Sequence, residues 1–260
     1  MMSNVFDTHC HPQFSQYKND KEEVIRRALD EGVFMIAVGT DLETSKQGIE
    51  LAQKHNGVWA TVGLHPNDTD EFYDTMIYHK MLSEPKVVAI GEVGLDYYRT
   101  PEPEKQKKQK EIFEQFIDLA QRTDTPMILH FRDSPRGSTG RVHKDALEIL
   151  PKGVKGVSHS FTGNLDEARE YINRGMYLGF NGIITFARQY DEVIKYVPLE
   201  NILLETDAPY LTPEPYRGQR NESVYVKEVS KKVAELKNVS IDEVIVKTTQ
   251  NVIKLFKISV

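Results

Sequence analysis

The stretch Lys86–Arg99, KVVAIGEVGLDYYR, decides the fold. Lys86–Ile90 reads as a short buried strand, an unbroken apolar run entered just after Pro85. It leads into Gly91-Glu92-Val93-Gly94, an acid between two glycines at the strand's end. A carboxylate there is costly unless it is paired, hydrogen-bonded or bound to a metal. Glycine on either side suits a backbone that turns sharply or is closely approached.

Working outward, the same grammar repeats. Val5-Phe6 is a minimal first strand ending on Asp7-Thr8-His9-Cys10-His11. Val33–Val38 and Val58–Val62 are continuous apolar strands, the latter ending Gly63-Leu64-His65-Pro66. Met127–Leu129 ends on His130, Val154–Val157 is followed by Ser158-His159, Met176–Phe180 is a seventh strand, and Ile202–Leu204 ends on Glu205-Thr206-Asp207. Helical spacing lies between them, over 20–31, 41–55, 71–82, 103–123, 144–150, 165–174 and 191–196, with closing helices over 222–236 and 241–256. Apolar strands alternating with helices belong to a parallel sheet buried on both faces. Eight such units without a proline- or serine-rich linker predict a (β/α)8 TIM-type barrel, one domain over residues 1–260. Lys105–Lys110, KQKKQK, reads as the wet face of its helix.

Composition narrows the partners. A net charge of −6 argues against a basic nucleic-acid coat, so any nucleic-acid contact has to be a local cationic patch. The single cysteine, Cys10, excludes a disulfide framework and fits a reducing compartment. The start, MMSNVFDTHC, has no basic leader, and no apolar run is membrane-length, so the sequence reads as cytoplasmic with no membrane partner.

Of eight histidines, five (His9, His11, His65, His130 and His159) follow a proposed strand directly. His55, His79 and His143 fall at or near helices and read as surface residues. In a (β/α)8 barrel the strand C-termini open on one face, where active sites sit. The five histidines are expected to converge there with Asp7, Glu92 and Asp207. Mixed imidazole and carboxylate donors suit Zn, Mn, Fe or a similar divalent ion, or Mg where carboxylates dominate. His9 and His11, two apart in an extended segment, point the same way, and Cys10 between them points away as a small buried filler. Singly, His65 suits a turn, His130 a satisfied strand end and Asp207 a turn cap; the joint placement carries the weight.

The motifs Asp7-Thr-His-x-His11, Gly63-Leu-His-Pro66, Gly91-Glu-x-Gly-Leu-Asp-Tyr-Tyr98, Leu129-His-x-Arg132, His159-Ser-Phe-Thr-Gly163, Glu205-Thr-Asp-Ala-Pro-Tyr210 and Arg220-Asn-Glu222 stand in order along the chain. Together they resemble the TatD family of metal-dependent deoxyribonucleases, whose fold is a (β/α)8 barrel. The resemblance implies two divalent ions (Mg, Mn or Zn), held by His9, His11, Glu92, His130, His159 and Asp207, with Glu92 bridging. Two departures, Ser160 where the family often has Cys and Ser223 where it often has Pro, fall on residues that are not proposed ligands. The loop 131–144 is less typical and is where substrate contacts are expected to vary.

The chemistry so implied is hydrolysis of a nucleic-acid phosphodiester, most directly as an exonuclease on single-stranded DNA, with RNA as the alternative substrate. Two ions about 4 Å apart lower the pKa of a bound water and clamp the phosphate. Asp207 is the candidate to orient that water and take its proton. His65, not needed as a ligand, is placed against the phosphate or the leaving group. Arg99, Arg132, Arg136, Arg141 and Arg217 are candidates for flanking phosphates, and Tyr97 and Tyr98 for stacking on a base. The nearest rival is a barrel amidohydrolase acting on a C–N or ester bond. That class often bridges its metals with a carboxylated lysine late in strand four, whereas Lys86 lies at the wrong end. A non-catalytic metal or nucleic-acid binding module is the rival of another class. No obligate protein partner is inferred.

Overall fold

The computed structural model describes residues 4–70, 73–133 and 141–259. Arg136, and the glycines 137 and 140 of the same loop, lie outside the described residues. The strands β1 (Val5–Cys10), β2 (Val33–Val38), β3 (Val58–Val62), β4 (Val87–Asp96), β5 (Met127–Arg132), β6 (Gly156–His159), β7 (Tyr177–Phe180) and β8 (Ile202–Leu204) follow one another in a single parallel sheet. Between them run α1 (Lys21–Asp30), α2 (Leu42–Lys54), α3 (Thr75–Met81), α4 (Pro103–Thr123), α5 (Arg141–Ile149), α6 (Leu165–Asn173) and α7 (Asp191–Tyr196). Then α8 (Val226–Lys237) and α9 (Ile241–Phe256) close the chain. The sheet curls back on itself. Thr8 Oγ1 donates to Leu204 O at 3.0 Å, Asp207 N to His9 O at 2.8 Å, and His11 N to Ala208 O at 2.8 Å. This is the (β/α)8 barrel that the strand count predicts. Among the described residues, no helix is long and apolar enough to cross a membrane.

Two apolar layers hold it. At least one residue from every strand (Phe6, Ile36 with Val38, Trp59, Ala89, Ile128, Val157, Tyr177 and Leu203) fills the barrel interior, with Leu255, Phe256 and Ile258 packed against them from the chain's end. The larger layer lies between the sheet and the helices, with Phe113, Phe116, Val229 and Val233 among its buried members. Single side chains of this kind contribute about 1.5–3 kcal/mol each on burial.

Two irregularities set up the mouth of the barrel. In β1 the register shifts between Asp7 and Cys10, and in β4 between Ile90 and Val93. A one-residue slip reverses the in–out alternation of side chains. Phe6 faces the interior and Val5 the helices; past the slip, Cys10 faces the helices and His9 and His11 the interior. Likewise Ala89 faces in and Ile90 out before the slip, whereas Val93 and Leu95 face out beyond it, turning Glu92 inward. Gly94 is required there, because a Cβ on it would lie 2.1 Å from His130 O.

Several sequence-based expectations need correction. Strands β1, β4 and β5 run on through Asp7–Cys10, Gly91–Asp96 and His130–Arg132: the polar residues of the first two extensions are buried, and in the third His130 is held by Glu92 and Asp96. The helix expected over 71–82 begins at Thr75, capped by Asp74, whose side chain accepts from Met76 N. KQKKQK is not uniformly wet: Gln106 and Gln109 are buried, and Gln109 receives the Asp96 N–H and donates to Pro66 O. His143 is buried among Phe131, Phe161 and Tyr171, not on the surface.

Candidate metal centre

Five histidines and two carboxylates meet at the barrel mouth. His11 follows β1 directly, and its Nδ1 lies 2.9 Å from Val38 O. Only a protonated Nδ1 fits beside a carbonyl, so the lone pair is on Nε2. That nitrogen stands 3.2 Å from His9 Nε2 and 3.5 Å from Asp207 Oδ1. His9 Nε2 is 3.3 Å from Glu92 Oε2 and 3.8 Å from Asp207 Oδ1. Donors bound to one tetrahedral ion at 2.0–2.2 Å lie about 3.3–3.6 Å apart, so the spacing and the chemistry of this set fit a divalent cation.

The other oxygen of Glu92 faces a different set. Oε1 is 2.6 Å from His130 Nδ1, 3.2 Å from His159 Nε2 and 3.7 Å from His65 Nε2. Three overlapping groups are each compact enough to hold an ion: His9, His11 and Glu92; His9, His159 and Asp207; and His65, Glu92 and His130. Glu92 belongs to two of them, with one oxygen toward each. Burial acts to raise its carboxyl pKa, but the surrounding histidines outweigh it and hold the group well below the usual carboxylate range.

Outer partners fix the rings. His159 Nδ1 donates to Glu205 Oε1 at 3.2 Å, leaving Nε2 for Glu92 and the centre. Glu205 Oε1 also receives Ser160 N at 2.6 Å and Asn181 Nδ2 at 3.3 Å. His130 Nε2 is 3.3 Å from Asp96 Oδ2, which also accepts from Asn67 Nδ2. Burial acts to lower His130, but Asp96 and Glu92 outweigh it and raise it. His65 is oriented the other way. Its Nδ1 accepts the Asn67 backbone N–H at 3.1 Å, so the neutral ring carries its proton on Nε2, facing the centre. Burial pushes His65 down to about 3, which keeps it neutral.

Asp7 does not face the centre with the other acids. It accepts from Thr206 N at 2.9 Å and Thr206 Oγ1 at 2.6 Å, tying β1 to the segment after β8, and burial pushes it up to about 7. Cys10 is buried, with its thiol donating to Ile36 O. Sequence reasoning assigned no role to Glu205, Asp96, Asn67 and Asn181. Glu205 and Asp96 stand inside the quoted motifs, two residues from Asp207 and four from Glu92, and that proximity was the available signal.

The candidate substrate residues divide. Tyr98 is 46% exposed, and the Arg132 guanidinium lies 4.0 Å above its ring. Arg99 is exposed on the same turn. Tyr97 is not available for base stacking: it is buried, with its hydroxyl donating to Asp145. Arg141 is engaged by Gln106 and the Tyr97 ring, and Arg217 by Thr212 O and the Phe186 ring.

Comparison with known proteins identifies the family. The family model described as TatD related DNase matches residues 6–257. The uncharacterized metal-dependent hydrolase YabD of Bacillus subtilis is 40% identical over 260 residues, covering 98% of this chain and 100% of that one. A protein of Citrobacter koseri named 3'-5' ssDNA/RNA exonuclease TatD is 33% identical, covering 98% and 100%. The crystal structure of YjjV, a TatD homolog from Escherichia coli K12, superposes with a TM-score of 0.86 at 30% identity, covering both chains completely. With a family model spanning nearly its whole length, this chain is a metal-dependent hydrolase belonging to the TatD related DNase family.

Proposed function

We propose that the protein is a deoxyribonuclease that removes nucleotides from an end of single-stranded DNA, using two divalent ions (Mg, Mn or Zn). The observation that carries this reading is Glu92, whose two oxygens face separate sets of donors, as a bridging carboxylate requires. His9, His11 and Asp207 would hold one ion and His130 and His159 the other, with Glu92 common to both. When bound, the ions supply a water of lowered pKa and a charge clamp on the scissile phosphate.

The chain's own residues do the rest. Asp207 is anchored by its N–H to His9 O, and its side chain is 18% exposed against 4% for Glu92. It is the carboxylate of the set that reaches the mouth, placed to orient a water and accept its proton. His65 Nε2–H is a neutral donor aimed at the centre, suited to a phosphate oxygen. Tyr98 with Arg132 above it offers a base platform beside a cation for a neighbouring phosphate. A name carried by a relative, 3'-5' ssDNA/RNA exonuclease, supports the substrate class and leaves RNA as an alternative substrate.

The amidohydrolase alternative lacks its bridging lysine: Lys86 Nζ donates to Ala52 O and His55 O, at the opposite end of β4. The deciding experiment incubates the protein with end-labelled single-stranded DNA, and with small amide and lactone substrates, each with and without chelator. Metal-dependent shortening of the DNA is the expected result. Turnover of amides or lactones alone overturns the nuclease reading, and binding without turnover makes the protein a non-catalytic module.

A further inference from the structure

We propose that the groove between Phe14 and Tyr210 is a second nucleotide-binding subsite, which holds a base against Tyr210 and the adjoining phosphates at Lys18 and Lys21. This rests on the nuclease reading of the metal centre and adds to it a place where the strand beyond the scissile bond lies.

The groove, about 550 Å³, opens between the β1–α1 connection, the first turns of α2 at Thr44 and Gln47, and Tyr210 of the segment after β8. Both walls grow out of the ligand set. Phe14 lies three residues past His11 and stacks on its ring, with centroids 4.3 Å apart and planes 9° from parallel. Tyr210 lies three residues past Asp207, and its N–H donates to Asp207 O at 2.8 Å. The buried Asn221 side chain holds the same turn from behind, donating to Tyr210 O and Thr206 O. Tyr210 nevertheless stays 47% exposed, its hydroxyl receiving Gln16 Nε2 at 3.2 Å. A large aromatic ring anchored at its backbone and left open to solvent beside a metal centre is a stacking platform.

The electrostatics select the ligand. Although the chain carries a net charge of −6, none of the residues lining the groove is an acid. Neither Lys18 nor Lys21 forms an ion pair among the described residues, whereas the nearby Asp20 is neutralised by Arg220 at 2.5 Å. The neutral amides of Gln13 and Gln16 also line the groove, their nitrogens donating to Val38 O and the Tyr210 hydroxyl. Two unpaired ammonium groups, an open tyrosine face and neutral amides match a flexible polyanion with stackable bases. Tyr98, in the turn after β4, and Arg132, at the end of β5, stand on the other side of the ligand cluster from β1 and β8. A strand resting on both platforms would cross the metal centre between them.

The test compares wild type, the Lys18→Ala/Lys21→Ala double variant, Tyr210→Ala and Tyr210→Phe on two substrates. One is a 12-nucleotide single-stranded DNA and the other bis(4-nitrophenyl) phosphate, a diester with no flanking nucleotide. On the DNA, the double variant should raise KM about 10-fold at low salt. It should also flatten the slope of log KM against log salt by roughly 1.4, about 0.7 for each lost phosphate contact on a single strand. Tyr210→Ala should raise KM about 5- to 150-fold, the span of a lost base–aromatic stack, and Tyr210→Phe should restore it. All variants should keep wild-type metal content and wild-type turnover of the small diester. Unchanged KM and salt slope in the double variant, with wild type active on DNA, overturn the subsite alone. Wild type that cleaves the small diester but no oligonucleotide overturns the nuclease reading and the subsite with it. Should Tyr210→Ala fail to fold, the lysine pair, on exposed and half-buried positions, decides the question.

Discussion

Glu205 Oε1 accepts the Nδ1–H of His159 at 3.2 Å, and that contact fixes which nitrogen of the ring faces Glu92. A metal-binding imidazole held this way by a carboxylate loses about 10- to 100-fold in metal affinity when the outer partner is removed. Glu205→Gln should therefore fold, bind metal less tightly by that factor and lose turnover in proportion. Gly179→Ala should do the same without touching a ligand, because its Cβ would lie 2.2 Å from Glu205 Oε2. Competition with a calibrated chelator, alongside the thermal midpoint, checks both. Wild-type metal affinity in both variants would show that Glu205 only fills space.

Glu92 should be indispensable for both ions. If its two oxygens serve two sets of donors, Glu92→Ala leaves each set short by one ligand. The variant is expected to fold, to hold well under the wild-type metal content by elemental analysis and to lose detectable nuclease activity. Exhaustive chelation of wild type should abolish turnover, and Mg, Mn or Zn should restore it. A Glu92→Ala protein that retains its full metal content at near wild-type rates would make the contact a strand-end hydrogen bond.

The barrel was legible because each strand is an apolar run and each rim histidine follows one. The site was legible in its members but not in its aim. His9 and His11 reach the interior only because β1 slips between Asp7 and Cys10, and Glu92 because β4 slips between Ile90 and Val93. A slip of register leaves no trace in composition, so the apolar run predicts an end at Ile90, whereas strand four continues to Asp96. Buried polar residues were the other blind spot. Gln109, read as solvated, receives the Asp96 N–H and so braces the residue beside His130. Helical spacing cannot distinguish a glutamine facing water from one facing a loop.

His65 and Arg132 separate ligation from substrate handling. The Asn67 N–H occupies His65 Nδ1 and leaves a proton on Nε2, so the ring serves as a donor toward the centre. His65→Ala is expected to keep its metals and lose roughly 10²–10⁴ in kcat, the range of a positioned acid or donor. Arg132, stacked over the exposed Tyr98, should act on binding. Arg132→Ala should raise KM for an oligonucleotide and flatten its salt dependence by about 0.7, with kcat nearly unchanged. Metal analysis and steady-state kinetics across salt distinguish the two. A His65→Ala protein short of metal would move His65 into the coordination shell.

His143 predicts an acid limit to stability that is independent of the metal centre. Its Nδ1 lies 3.1 Å from the Tyr171 hydroxyl, inside an aromatic shell with Phe131 and Phe161. Burial pushes its pKa down to about 4, with Asp133 pulling weakly the other way. An unfolded histidine titrates near 6.5. Between those values the unfolded chain binds the extra proton, so stability falls as pH drops from about 6.5 to about 4 and is unaffected above that window. The full loss is roughly 3 kcal/mol, from 1.36 kcal/mol per pKa unit. His143→Gln removes the titration. It should be less stable than wild type at pH 7.5, by about 1–3 kcal/mol of lost packing, and the gap should close toward pH 4. Urea unfolding at pH 7.5, 6, 5 and 4, with excess chelator throughout so that metal loss is common to both proteins, measures the gap. Parallel curves for the two proteins would mean that His143 is not held neutral by the fold.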